Sequence, residues 1–155
     1  MMRRGLGDRF LQLSQTFHDA YARVDRTDLA ELMPLLAEHF YPKHFCRVDP
    51  WPASFIAGLG QVNPKILLHY IGTNLFDPDG VLKHWDRTAE LATITAPALV
   101  VSGSNDYYRE ADSLRFAEAL PDGELWLSET ASHSPWIEDP NGFYGAIERF
   151  LGRFH

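Results

Sequence analysis

Ala98-Leu99-Val100-Val101-Ser102-Gly103-Ser104-Asn105-Asp106 is the stretch on which the fold turns. Its apolar run, 98–101, lies between Pro97 and Ser102-Gly103, which predicts a short buried strand entering a glycine-containing loop that ends in an acid. The chain after it repeats the rhythm. Residues 110–120 predict a helix with Leu114, Ala117 and Leu120 on one side, Pro121-Asp122-Gly123 turns the chain, and 124–127 predicts a second short strand. Asp139-Pro140 caps a last helix whose buried face would carry Phe143, Ile147, Phe150 and Leu151. Strand, helix, strand, helix in short units predicts an α/β fold with a parallel sheet. Two strands with their helices do not make a stable sheet alone, because a parallel strand needs neighbours and two covered faces. The expectation is therefore the C-terminal part of a larger α/β domain.

Before Pro97, apolar residues fall at helical spacing. Phe10, Leu13, Phe17, Tyr21 and Val24, spaced 3, 4, 4 and 3, share one helical face. Leu29, Leu32, Met33, Leu36 and Phe40 predict a second helix, with Asp28 and Glu31 as a capping box and Pro34 expected to kink or restart it. Residues 41–52 hold three prolines and predict an irregular connection. Asn63-Pro64 starts another helix and Gly72 stops it, while Asp77-Pro78-Asp79-Gly80 is a turn.

Composition narrows the function class. At 155 residues the chain has the length of one domain and buries roughly 70% of its unfolded surface. Apolar residues at 45% and charged residues at 23% exclude a disordered segment, and no run is long enough to span a bilayer. Fourteen basic against 21 acidic residues, a net charge of −7, argue against a nucleic-acid surface. The single cysteine, Cys46, excludes an internal disulfide and a Cys-based zinc site, and fits a cytoplasmic location. Met1-Met2-Arg3-Arg4 has the charge of a signal start, but Asp8 and Arg9 follow without a long apolar block, so secretion is not expected. His39, His44 and Cys46 are close in sequence, yet their spacing suits no standard zinc pattern; neither a metal nor another cofactor is expected. Cys46 is expected to pack as a small apolar residue, and Trp51, Trp85, Trp126 and Trp136 to serve mostly as core contacts.

Catalytic groups in open α/β sheets sit at the carboxyl ends of the strands. Asp106 holds that place after the first strand. Thr130-Ala131-Ser132-His133-Ser134-Pro135 follows the second, with His133 in the corresponding loop, 27 residues on. An acid and a histidine on adjacent strand ends form the acid–base half of a catalytic triad: the acid orients the imidazole, and the imidazole takes a proton from a nucleophile. A lone Asp more often caps a helix and a lone His more often faces solvent. The paired strand ends and the order acid-then-His favour catalysis.

Several blocks together carry a resemblance: Cys46-Arg47-Val48-Asp49-Pro50-Trp51-Pro52, Gly72-Thr73-Asn74-Leu75-Phe76, the run from Gly80 through Trp85-Asp86-Arg87-Thr88, Ser102-Gly103-Ser104-Asn105-Asp106, Ser132-His133 and Glu138-Asp139-Pro140. From His44 onward the chain resembles an α/β-hydrolase of the proline iminopeptidase branch. The resemblance implies that 1–94 form a helical cap, or lid, and that 95–155 supply the last strands and helices of the core. It makes Asp106 the triad acid and His133 the triad base.

Two departures qualify that reading. All eight serines lack the flanking glycines of Gly-x-Ser-x-Gly, the strained turn that exposes the family's nucleophile, and the Gly-rich oxyanion segment has no counterpart in the sequence. The branch also carries Glu where Leu75 and Tyr107 stand, carboxylates that would pair with a substrate's charged N-terminus; losing two charge-assisted contacts costs several kcal/mol of binding. Leu75, Tyr107 and Trp136 are the candidate substrate contacts. The expectation is the cap and acid/base half of a serine hydrolase acting on peptide, amide or ester bonds of a small molecule or short peptide. It would need an N-terminal half with the serine, or a second copy to complete its sheet, and would be inactive alone. The rival expectation is a non-catalytic remnant or binding module of the same fold. Neither nucleic acid nor membrane is an expected partner.

Overall fold

The first strand begins at Ala98, one residue past Pro97, and the regular structure described before it is helical. The structure, a computed structural model of the chain, describes residues 19–23, 25, 28–72 and 79–154. Most of the 10–24 helix and the 77–78 half of the predicted turn lie outside the described residues; 19–21 are helical.

Helix α1, Leu29–His39, starts at Asp28, whose side chain accepts from the Ala30 amide at 2.8 Å. The capping box does not close: Glu31 reaches past Asp28 to accept from the Asp25 amide at 3.1 Å. Pro34 sits inside α1 without ending it. Leu32, Leu36 and Phe40, one turn apart, are buried in a cluster with Tyr21. Burying each gains about 1.5–3 kcal/mol, which outweighs the roughly 3 kcal/mol that a mid-helix proline costs. Of the segment expected to be irregular, 41–52, the first five residues form a π-helical turn, Tyr41–Phe45, closed by the Cys46 amide on the Tyr41 carbonyl, and 46–52 are irregular. Helix α2, Ala53–Leu59, and helix α3, Pro64–Tyr70, follow. Asn63 caps α3 by accepting from the Lys65 and Ile66 amides, and Gly72, at φ 88°, takes the left-handed turn after its end. Two 3-10 turns, Val81–His84 and Thr88–Thr93, lead to the sheet.

Strand β1, Ala98–Gly103, helix α4, Glu110–Glu118, and strand β2, Gly123–Ser128, form one βαβ unit. The strands pair in parallel from Ala98 opposite Gly123 to Gly103 opposite Ser128. Both run longer than the apolar stretches suggested, because the ladder continues through Ser102 and Ser128, buried serines with hydroxyl partners. A single helical turn α5, Pro135–Glu138, precedes helix α6, Pro140–Leu151, which Asp139 caps through the Gly142 amide.

Among the described residues the sheet has these two strands alone, so each leaves one edge without a strand beside it. The outer helices match that deficit. Leu114, expected on the buried side of α4, is exposed with Phe116, and Leu151, expected on the buried face of α6, is exposed with Tyr144. Those faces lack the covering layer that a parallel sheet's helices require. The chain has an α/β architecture, a small parallel sheet preceded by helical segments.

Candidate active site

Asp106 and His133 meet beyond the carboxyl ends of β1 and β2. Parallel pairing brings Gly103 beside Ser128, and the two following loops are then laced together. The Ser104 amide donates to the Ser128 carbonyl at 2.9 Å, the Asn105 amide to the Ala131 carbonyl at 3.1 Å, and the Ser104 hydroxyl to the Glu129 carbonyl at 2.7 Å. Gly103 permits the close approach, because a Cβ there would collide with the carbonyl oxygens of Ala131 and Ser132.

His133 Nδ1 lies 3.1 Å from Asp106 Oδ2 and 3.3 Å from Oδ1. A carboxylate accepts only, so the ring proton sits on Nδ1 and Nε2 keeps its lone pair. Asp106 is buried, 5% exposed, and its Oδ1 also accepts from the Tyr108 amide at 3.0 Å. This turn contact is the local capping role open to a lone Asp; the acid performs it alongside the imidazole contact. The imidazole is about one-third exposed. One side of the pair is thus desolvated and fixed while the other faces a cleft.

Tyr107 is turned to the same ring. Its hydroxyl donates to His133 Nε2 at 3.1 Å, and its ring packs on the imidazole at 4.5 Å between centroids. Burial, then the neighbouring Tyr108 and Asp106, push its phenol far above the ordinary range, so it is a neutral O–H donor. Phe45 stacks on the imidazole at 5.6 Å. Trp136 lines a cleft of about 480 Å³ with Asp106, His133, Tyr108 and Phe143, and also an adjoining one of about 590 Å³ with Pro52, Phe55 and Leu59. Three sequence candidates, Tyr107, His133 and Trp136, therefore share one locale with Asp106. Leu75 lies outside the described residues.

The segment 44–47 clamps both loops. The His44 carbonyl accepts from the His133 amide at 3.3 Å, and His44 Nδ1 lies 3.1 Å from the Asn105 carbonyl. Ser134 Oγ donates to the Phe45 carbonyl at 2.8 Å, and Arg47 Nη1 to the Thr130 carbonyl at 2.8 Å. Burial lowers the His44 imidazole below its ordinary value, with the backbone contact to Asn105 opposing it. Cys46 is fully buried, and burial raises its thiol, which leaves no reactive thiolate. Among the described residues no three His, Cys, Asp or Glu side chains are placed to hold a metal ion. Trp85, expected as a core contact, is 65% exposed, and the 3-10 turn just before it has no buried residue.

Comparison with known proteins follows this geometry. No family model matches the chain. It is 26% identical over 119 residues to a proline iminopeptidase of Flavobacterium johnsoniae, covering 77% of this chain and 40% of that enzyme. It is 34% identical over 103 residues to RutD of Pseudomonas savastanoi pv. phaseolicola, described as a carbamate hydrolase, covering 65% of this chain and 40% of that one. The crystal structure of a proline iminopeptidase from Mycobacterium smegmatis superposes with a TM-score of 0.79 at 28% identity over 96% of this chain. The chain is similar to α/β-hydrolases of the proline iminopeptidase kind.

VinJ, at 24% identity and a TM-score of 0.83, shares the fold. The chain spans 40% of the length of the Flavobacterium relative and about half, 51%, of the Mycobacterium structure. No described helix is long and apolar enough to cross a membrane. Two contributors to the site escaped the sequence reading. The resemblance blocks include Glu138 without suggesting its contacts, and 44–47 looked like a connector. The contacts of 44–47 join residues 61 to 91 positions apart, which no local periodicity reports, whereas Glu138 also binds Ser132 and Ser134, six and four residues before it.

Proposed function

We propose that this chain is the acid/base-bearing part of a serine hydrolase. Asp106 orients His133 and stabilises its charged form. His133 takes the proton from a serine hydroxyl, and later returns it to the leaving group. The serine and the oxyanion-hole donors would come from an N-terminal half, because no Gly-x-Ser-x-Gly occurs in the sequence. The observation that carries the reading is the 3.1 Å contact between His133 Nδ1 and buried Asp106 beyond the ends of two parallel strands. The free strand edges and exposed faces of α4 and α6 support such a partner half, with a second copy of this chain as the other candidate.

In this reading 1–94 act as the lid and 95–155 as the core, in a cytoplasmic enzyme. The substrate is a small molecule or short peptide-like amide, ester or carbamate carbonyl. Leu75 and Tyr107 stand where the branch carries carboxylates, which disfavours a substrate with a free cationic N-terminus. Trp136, Phe55 and Pro52 line the apolar cleft in which an uncharged group would lie.

One observation favours a second reading, a non-catalytic binding module. The His133 Nε2 lone pair, which a nucleophile must use, is held by the Tyr107 hydroxyl. A serine therefore has to displace that hydroxyl, and a module that never receives one has no such need.

The test is hydrolysis of p-nitrophenyl esters and aminoacyl anilides by the purified 155-residue chain. No turnover is expected from the chain alone. Turnover abolished by His133→Ala would show that the nucleophile lies within this chain and would overturn the two-part mechanism.

A further inference from the structure

We propose that Glu138 is the positioning residue of His133: its carboxylate binds the backbone on both sides of the histidine and ties it to the segment 44–47. The proposal rests on His133 being the base, and deepens that reading.

Four donors converge on this one carboxylate. Glu138 Oε2 accepts from the Ser132 amide at 2.9 Å and the Ser134 amide at 3.1 Å. The Ser132 hydroxyl bridges Oε1 at 2.8 Å and Oε2 at 2.9 Å. Oε1 also accepts from the Arg47 amide at 2.9 Å. Ser132 and Ser134 are wholly buried, so no water replaces the carboxylate if it leaves. His133 is the residue between them. Its own amide is spent on the His44 carbonyl, and its ring stacks on Phe45. One side chain thus braces the backbone on both sides of the residue that points Nδ1 at Asp106, and that side chain also holds Arg47.

Only a carboxylate fits. It has two oxygens that accept and no proton to present, whereas an amide offers one accepting oxygen and an NH2 that would face other donors. Glutamine has nearly the same shape, so Glu138→Gln tests hydrogen-bond polarity rather than packing. Glu138 lies five residues past His133, and among the described residues it is not half of an ion pair.

The experiment reads the His133 ring in the 155-residue chain by nitrogen-15 NMR, with thermal melting as the control for folding. Wild type is expected to show a single Nδ1–H tautomer with a downfield, slowly exchanging ring proton. In folded Glu138→Gln that proton should exchange at least about tenfold faster, with both tautomers populated. A folded Glu138→Gln chain with an unchanged ring spectrum and ring titration overturns the proposal. If Glu138→Gln does not fold, hydrogen exchange in wild type decides. The Ser132 and Ser134 amides should exchange at least about a hundredfold slower than in a free peptide, and free-peptide rates would overturn the proposal. None of these readouts uses turnover, so their failure is distinct from failure of the hydrolase reading.

Discussion

Replacing Gly103 with alanine should pull Asp106 and His133 apart. Gly103 ends β1, and an added Cβ would sit 2.6 Å from the Ala131 carbonyl carbon and overlap the oxygens of Ala131 and Ser132. Ordinary contact begins near 3.4 Å, so the two backbones must separate by about 1 Å. What gives way is backbone, with no flexible side-chain end to absorb the shift. The Asn105 amide bond to Ala131, now 3.1 Å, and the His133–Asp106 contact, also 3.1 Å, would both stretch out of hydrogen-bonding range. Overpacking costs about 1–3 kcal/mol and each of the two bonds lost about 1 more, which totals roughly 3–5 kcal/mol. That is a large share of the roughly 5–15 kcal/mol typical of a domain, so a denaturant midpoint will register it. The paired assay is chemical denaturation of wild type and Gly103→Ala, with the His133 ring proton followed by NMR. A variant within about 0.5 kcal/mol of wild type and with an unaltered ring signal would refute the argument that Gly103 sets the approach of the two loops.

Tyr107→Phe removes the hydroxyl on Nε2, so diethyl pyrocarbonate should modify His133 several-fold faster, read by peptide mass mapping; an unchanged rate would show that the hydroxyl does not guard that nitrogen. His44 has a folded-state imidazole lowered below 6.5, so the unfolded chain binds the proton first and stability falls as pH drops through that value. The denaturation midpoint should decline from about pH 7.5 to pH 5 in wild type and decline less in His44→Gln, with equal slopes contradicting the assignment. Ser128→Ala deletes the 2.9 Å bond to Asp139, the cap of α6, and should cost about 1 kcal/mol by the same denaturation assay; no measurable loss would remove Ser128 from the account.

The strand-loop-acid pattern at 98–106 was legible because a buried parallel strand needs a continuous apolar run and a strand end needs a turn. Asn63-Pro64 and Asp139-Pro140 were legible for a similar reason: capping is local chemistry written in adjacent residues. Pro34 misled because the local cost of a proline was visible and the burial of Leu32, Leu36 and Phe40 against Tyr21 was not. Leu114 and Leu151 misled because periodicity names an apolar face without saying whether anything covers it. Asp106 and His133 could be paired by strand order, but their support could not. Glu138 gathers donors from Arg47, Ser132 and Ser134, and the Tyr107 hydroxyl turns toward a ring 26 residues away. The Arg47 and Tyr107 contacts are tertiary and leave no spacing to read, and the short steps from Ser132 and Ser134 to Glu138 match no regular period.

The most direct measurement is turnover by a chimera in which residues 19–154 replace the matching segment of the Mycobacterium smegmatis proline iminopeptidase, so that the relative supplies the rest of its own chain. The account predicts ester hydrolysis that falls by about three orders of magnitude or more with either His133→Ala or Asp106→Asn. A folded chimera that hydrolyses esters equally well without the His133 imidazole would contradict it.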